Sequence, residues 1–431
     1  MIARVSPRAL GGTVGAIASK SVAHRLIIAS ALADAPTHVI CNTTCDDIEA
    51  TARCLEALGA RVEAIHDGFM VTPINRDALP ATPVLDCGES GSTFRFMLPV
   101  ACALGSEATF TGATRLAERP ITPLTDELYV AGCDFEGIGT FPLRTHGTLR
   151  PGVFELPGNV SSQYISGIML AAPFMGRTTV IRVHGRIESK PYVNITVDAL
   201  KAFGVKVSEQ TSTDGTERMT VYTIEGSGYK SPHTVAVEGD WSNAAFWLCA
   251  GAMGRSPITV TGLSLSSSQG DRNILGALSR FGARIKRTTS SATVQPDKLV
   301  GFTMSAHDIP DLVPIIAAVA SVAEGRSVIE DCARLRLKES DRLETVTSTL
   351  VQLGAHVAIK GDDLVIDGQP ELAGGTVDAC NDHRIAMMAS IVAMRCADDV
   401  VITGAQAVRK SYPLFFNDLR TLGGSVYLEE V

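Results

Sequence analysis

Between Arg334 and Arg342 the chain reads RLRLKESDR, four cations and two carboxylates in nine residues. Cations this close repel one another unless anions join them, and a carboxylate among them has its proton affinity set by its neighbours. Such a segment suits two tasks, gathering phosphate or carboxylate groups and moving a proton. Glu339, Ser340 and Asp341 have the character of a helix cap, for a helix starting near Leu343, with Lys338 and Arg342 flanking it. A helix that only solvates its charges would carry them at i, i+4 without a break. Further cations fall at or near element ends, namely Lys20, Arg25, Arg95, Arg119, Lys190, Arg384 and Lys410. Singly, each reads as solvated surface, the usual fate of Lys and Arg.

Short polar stretches give these cations a setting. They are SKS (Ser19–Ser21), GESGST (Gly88–Thr93), SSQ (Ser161–Gln163), DWSN (Asp240–Asn243), HDIPD (His307–Asp311) and NDHR (Asn381–Arg384), each just ahead of a small-residue apolar run. Small polar residues at a helix start leave backbone N–H groups available to phosphate or carboxylate, assisted by the positive end of the helix dipole. One such stretch is an ordinary cap. Six at equivalent places in a repeat would point to one end of their domain and indicate a shared anion site.

The repeat itself is legible. A helix ending in Leu-x-x-(apolar)-Gly, then a strand, recurs at Gly59, Gly132, Gly204, Gly282, Gly354 and Gly423, at spacings of 73, 72, 78, 72 and 69. Glycine there fits a left-handed helix cap. A second helix, apolar nearly all round, recurs at the same period: Arg25–Ala33, Phe94–Leu104, Tyr164–Phe174, Ala244–Met253, Leu312–Ala323 and Ile385–Met394. Helices apolar on every face belong inside a domain. A solenoid is the competing arrangement. Against it, the spacing stretches to 78 where the Gly-, Ser- and Pro-rich TIEGSGYKSPHTVAVEGD intervenes, so three units plus three, joined near Ser231–Thr234, fit better.

Composition narrows the function. A chain of 431 residues with 45% hydrophobic and 19% charged residues is expected to fold as more than one globular domain. A net charge of −8 argues against the broad basic surface that nucleic acid requires. The ten cysteines form no CxxC pair, so neither a disulfide scaffold nor a zinc finger is expected. The start, MIARVSPRALGG, lacks a signal-peptide pattern, and the longest apolar run, Leu312–Ala323, falls short of the roughly 18 residues that span a bilayer. The expectation is a cytoplasmic enzyme acting on small molecules as a monomer, with no membrane or nucleic-acid partner, no cofactor and no metal. GxxxxGK[ST], HExxH and GxSxG are all absent, which removes support for P-loop kinases, zinc hydrolases and serine hydrolases. His383, after Asp382 at a helix start, reads as a cap or orienting group rather than a metal ligand.

SKSxxxR (Ser19–Arg25), GxSGST (Gly88–Thr93), ERP (Glu118–Pro120) and GNVSSQ (Gly158–Gln163) resemble the EPSP synthase family of enolpyruvyl transferases. So do SKPY (Ser189–Tyr192), IPD (Ile309–Asp311), LKESDR (Leu337–Arg342), NDHR (Asn381–Arg384) and KSYP (Lys410–Pro413), in the family's order across essentially the whole chain. The resemblance implies an α/β (α+β) fold of two pseudo-threefold domains, each of three βαβαββ units around buried helices, an inside-out α/β barrel. The domains expected are 17–233 and 1–16 plus 234–431, joined by a two-strand hinge with the active site in the cleft between them. It implies transfer of enolpyruvyl from phosphoenolpyruvate to the 5-hydroxyl of shikimate 3-phosphate. On that reading Ser21, Arg25, Ser161, Ser162, Gln163, Ser189, Tyr192, Asp311, Arg334 and Lys338 contact shikimate 3-phosphate. Lys20, Gly91, Arg119, Gln163, Arg342, Arg384 and Lys410 contact phosphoenolpyruvate, and Asp311 and Glu339, with Lys20, carry the proton transfers. Glu89 and Arg334 stand where many members carry Asn.

Two other functions compete. One is the sister reaction on UDP-N-acetylglucosamine, which needs a reactive cysteine between Arg95 and Arg119. The candidate, Cys102, sits in the apolar run MLPVACALG, a poor place for a reactive thiol. The other is a non-catalytic anion-binding scaffold, for which Asp311 and Glu339 would be a hindrance.

Overall fold

All six repeat-closing glycines adopt positive φ, at 99°, 107°, 73°, 110°, 95° and 95° from Gly59 to Gly423, where a side chain would be strained. They stop the helices and turn the chain into the next strand. The computed structural model that shows this describes residues 1–214 and 217–430.

Thirteen α-helices occur among the described residues. The continuous stretch to residue 237 contains α1 (Lys20–Ala31), α2 (Asp46–Ala57), α3 (Gly91–Leu104), α4 (Thr114–Glu118), α5 (Leu124–Val130), α6 (Ser162–Ala171) and α7 (Lys190–Ala202). The remainder contains α8 (Trp241–Met253), α9 (Ile274–Phe281), α10 (Val313–Ala320), α11 (Arg342–Gln352), α12 (His383–Val392) and α13 (Phe415–Thr421). The small, apolar helices α1, α3, α6, α8, α10 and α12 are the interior ones, and in α8 every residue is buried. Small residues let them approach closely. A Cβ on Gly167 of α6 would meet the Arg95 carbonyl oxygen of α3 at 2.4 Å. In α8 the apolar face closes on aromatic rings, with Trp247 stacked on Phe415 at 4.9 Å and its Nε1–H donating to Tyr412 Oη at 2.9 Å.

The strands form six open, four-stranded sheets of one topology. In one, Val153–Pro157 runs parallel to Thr179–His184, which pairs antiparallel with Glu217–Ile224, itself antiparallel to Val207–Asp214. Each sheet thus supplies the strands of a βαβαββ unit, and no sheet closes into a barrel among the described residues. Some units complete themselves with distant chain. Thr234–Ala236 is the parallel partner of Thr37–Ile40, and Gly12–Gly15 that of Ile258–Thr261. Ile2–Ser6 fills the place between Val400–Thr403 and Ser425–Glu429. Ile2–Ser6 and Ser425–Glu429 are thereby neighbours in one sheet.

Two compact units result, a continuous one of Lys20–Val237 and a split one of Met1–Ser19 with Glu238–Val431. Their limits differ from 17–233 for a physical reason. Strand 234–236 is hydrogen-bonded into the continuous unit, while Ser19 N donates to Glu238 O at 2.8 Å and Asp240 N to Ile17 O at 2.9 Å in the split one. The interior helices also begin earlier than their apolar runs suggest, α1 at Lys20 rather than Arg25 and α3 at Gly91 rather than Phe94. Their first turns are polar, so hydrophobicity marks only the part that lies inside.

Candidate active site

In the split unit one guanidinium organises the charges. Asp311 lies on the 3-10 turn Pro310–Leu312 ahead of α10, and its Oδ1 is 2.8 Å from Arg342 Nη1 and 3.0 Å from Lys338 Nζ. Arg384 Nη2 stands 3.4 Å from Asp311 Oδ2, and Arg384 Nη1 donates to the Asp311 carbonyl at 3.0 Å. The other end of Arg342 holds Glu339, Nη2 to Oε2, at 2.6 Å. Arg342 Nε meets Asp382 Oδ2 at 2.7 Å, and Asp382 in turn caps α12 through Arg384 N at 2.9 Å. A buried cation serving three carboxylates fixes where each of them points, and removing one partner of such a pair costs about 3–5 kcal/mol.

The nine-residue charged segment is therefore divided by its conformation. Its first half winds as a 3-10 turn, Ala333–Leu337, and α11 starts at Arg342 with Asp341 as cap, Oδ1 accepting from Glu344 N at 3.3 Å. Lys338 and Arg342 converge on Asp311, whereas Arg336 turns to Asp341 (3.3 Å) and Glu344 (3.1 Å). Arg334 is half-buried and close enough to Lys338 for its charge to be felt there. Lys410, buried at the end of the 3-10 segment Ala405–Lys410, donates to the Asn381 carbonyl at 2.5 Å. Cys380 and Asn381 both have positive φ, 50° and 53°, a strained pair ahead of α12 of the kind that clusters at functional sites.

Burial alone would raise the Asp311 carboxyl, but Lys338, Arg384 and Arg342 outweigh it and hold the group well below the usual carboxylate range. Burial works against the Arg342 charge, and Asp382, Glu339 and Asp311 more than reverse that, so it stays charged. Lys338 is pushed down by burial, with Asp311 opposing and Arg342 and Arg334 adding to the push. Cations that lower one another's proton affinity gain from a bound anion.

In the continuous unit the first turns of α1, α3 and α6 carry the polar groups. Lys20, the first residue of α1, pairs with Asp47 of α2 at 2.7 Å. Arg25 is buried with neutral acceptors only: Thr196 Oγ1 at 2.6 Å, Ser21 O at 2.6 Å, Tyr192 O at 3.1 Å and Ser166 Oγ at 3.4 Å. Its guanidinium lies 4.7 Å from the Phe96 ring centre, and burial lowers its pKa to about 9. Gln163 is held from both sides, Oε1 accepting from Arg95 Nη1 and Nε2 donating to Ser92 Oγ, each at 3.0 Å. Gly91 opens α3 with two guanidinium groups over it; a Cβ there would lie 2.6 Å from Arg95 Nη1 and 2.7 Å from Arg119 Nη1. Ser161 caps α6, its Oγ accepting from Gln163 N at 3.2 Å, and Ser162 follows as a buried first residue. Ser189, at φ 53°, precedes α7, whose first turn carries Tyr192.

The site residues read from the sequence thus fall into two sets. Lys338, Arg342, Arg384, Asp311, Glu339, Arg334 and Lys410 lie in the split unit; Lys20, Ser21, Arg25, Gly91, Arg119, Ser161, Ser162, Gln163, Ser189 and Tyr192 lie in the continuous one. Asp47, Thr196 and Ser166 are partners that the sequence does not single out, and Asp382 stands out there only as part of the NDHR stretch at a helix start. Asp47 and Asp382 begin amphipathic and buried helices, where acids read simply as caps, and Thr196 and Ser166 sit inside helices. Cys102 is buried in α3, its thiol raised well above the ordinary value by hydrogen bonding with Cys133 and by burial, as a thiol without nucleophilic duty would be. Among the described residues, no helix is long and apolar enough to cross a membrane.

Comparison with known proteins places this geometry. The family described as EPSP synthase (3-phosphoshikimate 1-carboxyvinyltransferase) matches residues 5–419. The 3-phosphoshikimate 1-carboxyvinyltransferase of Clostridium kluyveri is 39% identical over 423 residues, 98% of this chain and 97% of that protein. The protein of the same name from Clostridium acetobutylicum is 37% identical over 98% of both. Among solved structures, an EPSP synthase from Acinetobacter baumannii superposes with TM-score 0.79 at 24% identity over 99% of this chain and 100% of that one. The enolpyruvyl transferase NikO of Streptomyces tendae does so with TM-score 0.75 at 19% identity over 99% and 98%. These superpositions show the two-domain inside-out α/β fold.

Proposed function

The chain belongs to the EPSP synthase family, and from that premise we propose how its own residues share the reaction. The reaction is transfer of the enolpyruvyl group of phosphoenolpyruvate to the 5-hydroxyl of shikimate 3-phosphate, with release of phosphate. The observation that carries our assignment is Arg342, whose two ends fix Asp311 and Glu339 on one guanidinium. Asp311 takes the proton of the 5-hydroxyl as the oxygen attacks C2, with Lys20 assisting. Glu339 gives a proton to C3, forming the tetrahedral intermediate, then takes one back as the C–O bond to phosphate breaks. Glu339 ends as it began, and the proton that Asp311 took passes to the departing phosphate, so the steps balance and no cofactor is called for.

The remaining groups bind. Arg342, Arg384, Lys410, Lys20, Arg119, Gly91 and Gln163 surround phosphoenolpyruvate, whose phosphate and carboxylate match paired guanidinium donors. Ser161, Ser162, Gln163, Ser189, Ser21, Tyr192, Arg25, Arg334, Lys338 and Asp311 hold shikimate 3-phosphate. We take the protein to act as a cytoplasmic monomer, whose oligomeric state sedimentation with and without substrates checks. Phosphate release is the direct test. It is expected with phosphoenolpyruvate plus shikimate 3-phosphate and not with UDP-N-acetylglucosamine; the reverse result would overturn the assignment.

A further inference from the structure

His24, Thr51, Thr93 and Ser90, all buried in the continuous unit, form a chain of hydrogen bonds that the proposed steps do not use. His24, one turn after Lys20 on α1, meets Thr51 Oγ1 of α2 through Nδ1 at 2.7 Å. Thr51 Oγ1 lies 2.7 Å from Thr93 Oγ1 of α3. Thr93 Oγ1 donates to Ser90 Oγ at 2.8 Å and to the Asp47 carbonyl at 3.3 Å. Ser90 Oγ also accepts from Thr93 N at 3.2 Å, as the cap of α3. The chain therefore ends where the anion groups begin. Asp47 holds Lys20 at 2.7 Å, and Ser90 stands directly before Gly91.

The protons give the chain a direction. A hydroxyl has one hydrogen to donate. That of Thr93 goes to Ser90 or Asp47, so Thr51 must donate to Thr93 and accept from Nδ1–H of His24. With the proton on Nε2 instead, Thr51 would donate to His24 and no hydrogen would remain between the two threonines. Nε2 has no hydrogen-bond partner among the described residues, so a second proton there would find no acceptor. Burial first, then the charges of Lys20 and Arg25, keep the imidazole neutral by lowering its pKa well below the ordinary value.

Resting on the reading that Lys20 and Gly91 bind phosphoenolpyruvate, we propose that His24, Thr51 and Thr93 are positioning residues for that substrate: their one-way chain sets the first turn of α2, and with it Asp47 and Lys20, against the start of α3 where Gly91 lies. Buried hydrogen bonds polarise one another, and an unpaired group there is costly, so the chain holds as a unit. None of the three has to touch the substrate. They fix the spacing between a cation and a helix start, and a displacement of about 1 Å in such groups can cost on the order of 10²-fold.

Thr93→Val removes the hydroxyl at nearly constant shape. KM for phosphoenolpyruvate is expected to rise about tenfold, with KM for shikimate 3-phosphate within about twofold and kcat within about threefold. Thr93→Ser returns the hydroxyl and should bring the phosphoenolpyruvate KM back to within about twofold of the parent. His24 tests the direction. His24→Asn can present an amide N–H near the place of Nδ1 and should keep the parent KM, whereas His24→Leu should raise it as Thr93→Val does. Thr51→Val breaks the same link and serves if Thr93→Val melts below the assay temperature. An unmoved phosphoenolpyruvate KM in the valine variants or in His24→Leu, an equal rise for both substrates, or a Thr93→Ser no better than Thr93→Val overturns the proposal. Absence of phosphate release in the parent protein, or a phosphoenolpyruvate KM unmoved in Lys20→Met and Gly91→Ala alike, would instead sink the reading beneath it.

Discussion

The two units repeat one topology but spend their buried charge differently. In the split unit Arg342, Lys338 and Arg384 are matched by the carboxylates of Asp311, Glu339 and Asp382. In the continuous unit Arg25 is held by hydroxyls and carbonyls, Arg95 has carbonyls and an amide among its partners, and at the helix starts Lys20 pairs with Asp47 and Lys190 with Glu209. A guanidinium held by neutral acceptors keeps its full charge for an incoming anion. One neutralised by a carboxylate offers less attraction but positions a group that can carry a proton. The same fold thus yields a half suited to holding and a half suited to reacting.

The strongest test strikes the reacting half. Glu339→Gln keeps the size and the contact with Arg342 but not the proton, so kcat should fall about 10²–10⁴-fold while calorimetry still detects both substrates. Turnover within tenfold of the parent would erase the distinction between the units. Arg25→Met probes the holding half. Thr196 and Tyr192 lose their cation, costing stability of about 1–3 kcal/mol, and shikimate 3-phosphate affinity should drop by roughly 100-fold with kcat less affected. A larger loss in kcat than in affinity would put Arg25 on the wrong side of the comparison.

Lys20 tests the boundary between the two roles, because it is a proposed ligand cation of the holding half that is nonetheless paired to a carboxylate. Lys20→Met should weaken phosphoenolpyruvate binding about 10- to 100-fold; unchanged affinity would remove Lys20 from the ligand set. Gly91→Ala is gentler. The new methyl would press on the Arg95 and Arg119 guanidinium groups, which are flexible ends and can move. The expected result is a rise in KM for phosphoenolpyruvate of roughly tenfold with little change in melting temperature. A drop in melting temperature with KM unmoved would make Gly91 a packing residue instead.

Much of this was readable beforehand because it is periodic. The six glycine caps needed positive φ and have it, and the all-apolar runs became the interior helices. What could not be read was pairing across repeats. Thr234–Ala236 and Gly12–Gly15 complete sheets whose other strands are some 200 residues away in sequence, and short strands carry no address. The charged partners were hidden for a related reason. Asp47 and Asp382 have the same composition signal as any capping acid, and only the fold sets one against Lys20 and the other under Arg342.

Arg336 is where the comparison predicts almost nothing. It lies two residues from both Arg334 and Lys338 and contributes equally to the charge density that draws attention to this segment. Yet its guanidinium faces Asp341 and Glu344 beside solvent, not Asp311. Exposed pairs of this kind contribute about 0–1 kcal/mol. Arg336→Ala should therefore change kcat and both KM values by less than about twofold and stability by no more than that amount. A tenfold loss of shikimate 3-phosphate affinity would show that charge density along the segment, rather than the direction each side chain takes from the 3-10 turn, governs binding.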